Sequence, residues 1–243
     1  MYNKDMVARC CLALHSAGYS NDIVEKEFVD GFKEGVRSII ATPSQVEMLV
    51  RVKQKYDNHY TRIGMIIGYP YGGLSTEYKV HLMNYAVENG LDEIDLGVDI
   101  SAMLSGDWKR AQEDLQAVIA ASQGKVTIVP LAFAVRIPLW LLDKICAMYV
   151  QMGINRVKTS PGNHFGTMEL EHVEYIARRY AGKLEIEVAG RCRTREKAEK
   201  MVEAGAESFH LSSWRRISGI GNDVSFDFSA KQAKYAEYRD RLE

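Results

Sequence analysis

Lys158 is the residue whose setting most invites chemistry. It ends the run Arg156-Val157-Lys158, where an inward ammonium is costly unless it is paired or used. Used, it is an amine nucleophile that can form a Schiff base with a carbonyl. Paired, it is a strand-end lysine facing solvent. Asp95 lies between Ile94 and Leu96. A carboxylate placed so carries protons or holds a lysine in a structural ion pair. Glu187 ends another apolar run, ahead of Gly190-Arg191. Gly190, Arg191, Ser212 and Ser213 suggest a phosphate cup, because glycine lets backbone N–H groups approach anionic oxygens and arginine adds a two-pronged charge. The competing reading makes the serines a helix cap and Arg191 a surface ion pair.

Other chemistries fit less well. His15, His164 and His210 share no ligand spacing with nearby acids, and H-E-x-x-H is absent. No metal or other cofactor is therefore expected. Cys10, Cys11, Cys146 and Cys192 form no C-x-x-C pair, which points to reduced thiols in a cytoplasmic protein. The basic cluster Arg191, Arg193, Arg195 and Lys197 lacks interleaved aromatics, so nucleic acid is not an expected partner.

The elements that must position these groups alternate along the chain. Apolar runs at Ala8–Leu14 and from about 37, 63, 93, 126, 156, 184 and 208 read as eight strands. Helix-period runs follow them. Val24, Phe28 and Phe32 line one helix, and Ser44 with Glu47 forms a capping box for the next. Val80, Met83 and Val87 line a third, and Leu141, Leu142, Ile145 and Tyr149 another. Repeated βα units imply a parallel sheet covered by helices, and eight of them in 243 residues fit a (β/α)8 TIM barrel of the α/β class. A doubly wound open sheet is the alternative, but no strand is followed by G-x-G-x-x-G. In a barrel, functional groups gather where strands end. That rule selects Gly68 to Gly73, Asp95, Asp99, Lys158 to Gly162, Glu187, Gly190-Arg191 and Ser212-Ser213.

Composition sets the outer bounds. The chain is 47% hydrophobic and 26% charged, with a net charge of -1. This is a globular composition without the global basic field that nucleic-acid binding favours. No run is long enough to span a bilayer, and the N-terminus lacks signal-peptide form, so no membrane partner is expected. With no linker visible, residues 1–243 read as one domain, with a polar extension after about 222.

The segments Gly68-Tyr69-Pro70, Glu93-Ile94-Asp95-Leu96, Ser105-Gly106-Asp107-Trp108 and Val157-Lys158-Thr159-Ser160 together resemble the deoxyribose-phosphate aldolase family. The resemblance runs from about the second strand to the eighth. It implies a (β/α)8 class I aldolase that cleaves a phosphorylated deoxysugar reversibly, without a metal, and it implies a homodimer. Lys158 matches the family's Schiff-base lysine and Asp95 its proton-relay aspartate. Thr159, Gly190, Ser212 and Ser213 fall in the matched substrate and phosphate segments.

The chain departs from the family on strand seven. Where the family carries a second lysine and a glycine pair, this sequence reads Glu187-Val188-Ala189-Gly190-Arg191. A neighbouring ammonium lowers a Schiff-base lysine's pKa, whereas a neighbouring carboxylate keeps it charged. Glu187 is then expected to share proton transfer with Asp95, and Arg191 to neutralise Glu187 or hold an anionic substrate group. The substrates expected are a phosphorylated or otherwise anionic sugar and an aldehyde. Two other functions stay open: a catalytically silent sugar-phosphate-binding barrel, and a metal-free isomerase or epimerase using Asp95 and Glu187.

Overall fold

The structure, a computed structural model, describes residues 2–14, 19–135, 137–161, 169–190 and 192–223. Arg191, His15, His164 and nearly all of the expected C-terminal extension lie outside the described residues. Among the described residues the eight expected strands are present: β1 (Cys10–Ala13), β2 (Ser38–Ala41), β3 (Arg62–Ile67), β4 (Glu93–Leu96), β5 (Thr127–Pro130), β6 (Arg156–Lys158), β7 (Glu185–Val188) and β8 (Ser208–Leu211). Their spatial order is β5-β4-β3-β2-β1-β8-β7-β6, and the paired strands are parallel. The outer strands then meet. Leu131 and Lys158 form a parallel bridge, Ala132 N donates to Lys158 O at 2.8 Å, and Ala134 N donates to Thr159 O at 2.8 Å. The sheet is thus a nearly closed barrel and not an open doubly wound sheet.

Helices cover the outside because each presents an apolar stripe. Helix Asn21–Glu34 buries Val24, Phe28 and Phe32, and helix Leu139–Gln151 buries Leu141, Leu142, Ile145 and Tyr149. Two local expectations are corrected. The capping box is made by Thr42 and Gln45, not by Ser44 and Glu47, and Gln45 Oε1 accepts from Thr42 N at 3.1 Å. Pro43 suits a first helical position because its missing N–H needs no partner there, so the chain turns earlier than Ser44. Helix Thr76–Glu88 buries Lys79, Met83 and Ala86, with Val80 and Val87 only half-buried. Its stripe is rotated because Lys79 finds a buried carboxylate, Asp114, at 2.7 Å.

Strand side chains alternate in and out. The inward set is identified by contacts that cross the barrel. Arg156 on β6 reaches Glu93 on β4, Glu187 on β7, Ser208 on β8 and Cys11 on β1. Gly64 on β3 makes room for this layer: a Cβ there would meet Glu93 Cγ and Ile40 Cδ1, both at 2.9 Å. Ala13, Ile40 and Ile66 form a small apolar cluster apart from the main core.

Candidate active site

At the C-terminal end of β6, Lys158 lies directly across from Glu187 on β7 in strand register. Its Nζ contacts Asp95 Oδ2, lies 3.2 Å from Glu187 Oε1 and is 2.8 Å from His210 Nδ1. Lys158, Asp95 and Glu187 are buried. Lys158 and Asp95 line one cavity together with Ile66, Tyr69, Gly97, Leu131, Pro161 and His210. The Tyr69 loop is held close to β4. Gly72 has φ +71°, and a Cβ there would collide with the Val98 carbonyl. A side chain at that position would push the loop off the cavity.

Beneath the lysine lies an ionic layer that the residue pattern did not reveal. Arg156 Nη1 is 2.9 Å from Glu93 Oε2, and its Nη2 is 2.7 Å from Glu187 Oε2. Arg62 Nε adds a contact to Glu93 Oε2 at 3.4 Å. Cys11 Sγ donates to Glu187 Oε2 at 3.2 Å. Arg156 thus pairs with Glu187, while Arg191, expected to neutralise Glu187 or to hold an anionic substrate group, lies outside the described residues. The layer holds three cations, Arg62, Arg156 and Lys158, against three carboxylates, Glu93, Asp95 and Glu187.

These neighbours set the protonation states. Burial pulls the Lys158 ammonium down, but Asp95 and Glu187 outweigh it and hold it above its ordinary value. Burial pushes Glu187 up, yet Lys158, Arg156 and His210 overcome this and keep its carboxyl well below the usual range. Asp95 goes the other way. Burial raises it, Lys158 and His210 oppose the rise, and the Glu187 charge adds to it. Glu187 shares two cations and Asp95 shares one, so Asp95 is the carboxylate that takes a proton more readily. Its Oδ1 is buried without a hydrogen-bond partner among the described residues.

Gly190, Ser212 and Ser213, expected to form an anion cup, lie at the adjoining strand ends, and Arg191 lies outside the described residues. Gly190 follows β7 with φ +111°. Ser212 and Ser213 follow β8, and the Ser213 hydroxyl donates to Cys192 O at 3.3 Å. Thr159 Oγ1 accepts from Ala189 N at 3.1 Å and donates to Ala189 O at 3.3 Å, tying the end of β6 to the end of β7.

His210 is the site residue that sequence reasoning missed. Asp95, Glu187 and His210 bring ligand-type atoms within 4.8 Å of one another. Their shared centre carries the Lys158 ammonium, so the cation among them is the chain's own. Two-residue alternation from Ser208 would have placed His210 on the inward face.

No family model matches the chain. Curated relatives do. It is 30% identical to the deoxyribose-phosphate aldolase of Carboxydothermus hydrogenoformans over 194 residues, covering 78% of this chain and 83% of that one. It is 32% identical to that of Finegoldia magna over 170 residues, covering 68% and 78%. Among solved structures, the deoxyribose phosphate aldolase from Aeropyrum pernix superposes with a TM-score of 0.81 at 19% identity, covering 89% of this chain and 90% of that one. An aldolase described as QR15 superposes at 0.82 and 22% identity, with 89% and 95% covered. With the barrel, the buried lysine at the end of β6 and relatives at this identity over most of their length, the chain belongs to the deoxyribose-phosphate aldolase family, as a divergent member.

Proposed function

We propose that this protein is a class I aldolase that cleaves a phosphorylated deoxysugar reversibly through an imine on Lys158. The observation that carries the reading is the buried Lys158 ammonium, open to a cavity and touching a protonatable carboxylate, Asp95. Lys158 adds to the substrate carbonyl and becomes an electron sink once the imine forms. Asp95 takes the proton from the hydroxyl beside the breaking carbon–carbon bond and returns it in synthesis. Glu187 stays ionised against Arg156 and Lys158, which makes it a fixed charge that stabilises the cationic imine. Gly190, Ser212 and Ser213, together with Arg191 and Thr159, hold the anionic end of the sugar. The homodimer and the cytoplasmic location implied by the family belong to the same proposal. No helix among the described residues is long and apolar enough to cross a membrane.

Borohydride trapping tests this reading. Incubation with 2-deoxyribose 5-phosphate followed by reduction is expected to add the substrate's mass to the peptide that contains Lys158. Ligand-induced thermal stabilisation without an adduct would favour the silent binding barrel instead. Solvent isotope uptake without carbon–carbon cleavage would favour an isomerase.

A further inference from the structure

Imine formation needs an uncharged amine, and this site holds Lys158 as an ammonium between two carboxylates. We propose that His210 is the catalytic base that takes the Lys158 proton through Nδ1 and later returns it to the departing water. The inference deepens the aldolase reading and rests on it.

The geometry permits two proton positions without moving a heavy atom. With Lys158 charged, Nζ donates to His210 Nδ1 across 2.8 Å. With the proton moved, Nδ1 donates to Asp95 Oδ2 at 3.1 Å, with Glu187 Oε1 nearby at 3.4 Å. The Nζ lone pair is then available to the cavity that His210 and Lys158 both line. Imidazole is the side chain best suited to hold a proton transiently near neutral pH. The groups facing it are Asp95 from β4, Lys158 from β6, Glu187 from β7, Cys11 opposite on β1 and Tyr69 from the loop after β3. Glu187 is a poor substitute as base, because Arg156 and Cys11 already occupy its other oxygen. Asp95 is needed for the substrate hydroxyl, and using it for Lys158 as well would leave that step without an acceptor.

The step balances. Lys158–NH3+ gives one proton to His210, and the neutral amine forms a C–N bond as the carbonyl π pair moves to oxygen. One N–H proton passes to that oxygen to give the carbinolamine. The imidazolium then protonates the hydroxyl, the C–O bond breaks, water leaves, and the nitrogen lone pair closes a cationic C=N. The net change is ammonium plus carbonyl to iminium plus water, and the charge of the buried layer is conserved.

The test is the initial rate of borohydride trapping of acetaldehyde from pH 5 to 9, on the full chain. The wild-type rate is expected to rise through the neutral range. His210→Gln should trap about 10²–10⁴-fold more slowly at pH 7, keep only an alkaline rise, and still label Lys158 at long times. Free imidazole should restore part of the rate in His210→Ala. An unchanged rate and pH profile in His210→Gln, with Lys158 still labelled, overturns the role of His210 and leaves the aldolase reading standing. Absence of any wild-type label on Lys158 overturns both. If neither variant folds, His210→Asn is assayed in the same way, and a trapping rate equal to wild type with Lys158 labelled overturns the role of His210.

Discussion

Two lysines are buried among the described residues, Lys79 and Lys158, and they are buried for different reasons. Lys79 lies under the loop after β3, fully covered, with Asp114 as a one-to-one partner at 2.7 Å. The other Asp114 oxygen accepts from Thr76 Oγ1 at 2.8 Å. The charges match and both carboxylate oxygens are satisfied. Lys158 instead faces two carboxylates and an imidazole, leaves Asp95 Oδ1 without a partner among the described residues, and lines a cavity. Burial is therefore a poor mark of reactivity. What separates the two is the surplus of proton acceptors around one ammonium and its access to a ligand. A closed pair holds structure together, whereas an over-supplied one lets a proton move between neighbours of similar affinity.

The largest expected effect lies at the reactive lysine. Lys158→Met should abolish both imine trapping and cleavage, while circular dichroism shows an intact barrel. Retained turnover in that variant would erase the distinction between the two lysines. Lys79→Met should do the reverse. It strands Asp114 in the core, so denaturant unfolding is expected to show a loss of about 3–5 kcal/mol, with activity per folded molecule unchanged. The double variant Lys79→Met, Asp114→Leu should recover most of that loss, because an apolar pair of similar volume replaces an ion pair at little net cost. Failure to recover would mean that the Lys79–Asp114 pair does more than close a charge.

Glu187→Gln sharpens the electrostatic side. Removing one of the carboxylates that raise the Lys158 pKa lets the ammonium lose its proton at lower pH. The pH profile of borohydride trapping should move to lower pH, and turnover can be measured separately. A profile that does not move would show that Glu187 answers to Arg156 alone. The smallest effect is expected at Thr76→Val, which removes one hydrogen bond to the Asp114 carboxylate. A loss of about 1.5–3 kcal/mol in unfolding free energy is expected, with the trapping profile unchanged.

The amino-acid pattern was sufficient for the architecture and for half of the site. Eight βα units, the inward lysine of Arg156-Val157-Lys158, Asp95 between two apolar neighbours and Glu187 at a strand end are all local signals, carried by residues two to four apart. Periodicity of that range reports which face a residue occupies, and a barrel then sends the strand ends to one rim. It does not report which residues meet there. Lys158 touches Asp95 and His210 across 63 and 52 positions of chain, Arg156 touches Glu187 across 31, and Lys79 touches Asp114 across 35. Arg156 looked like an ordinary strand residue and His210 like an isolated histidine. Closure of the barrel put four strands around one interior, where low dielectric makes each charge choose its partner. The fold class was thus decided by local pattern, which left Lys158 open between a nucleophile and a paired strand-end lysine, and the proton inventory around Lys158 was decided by tertiary structure.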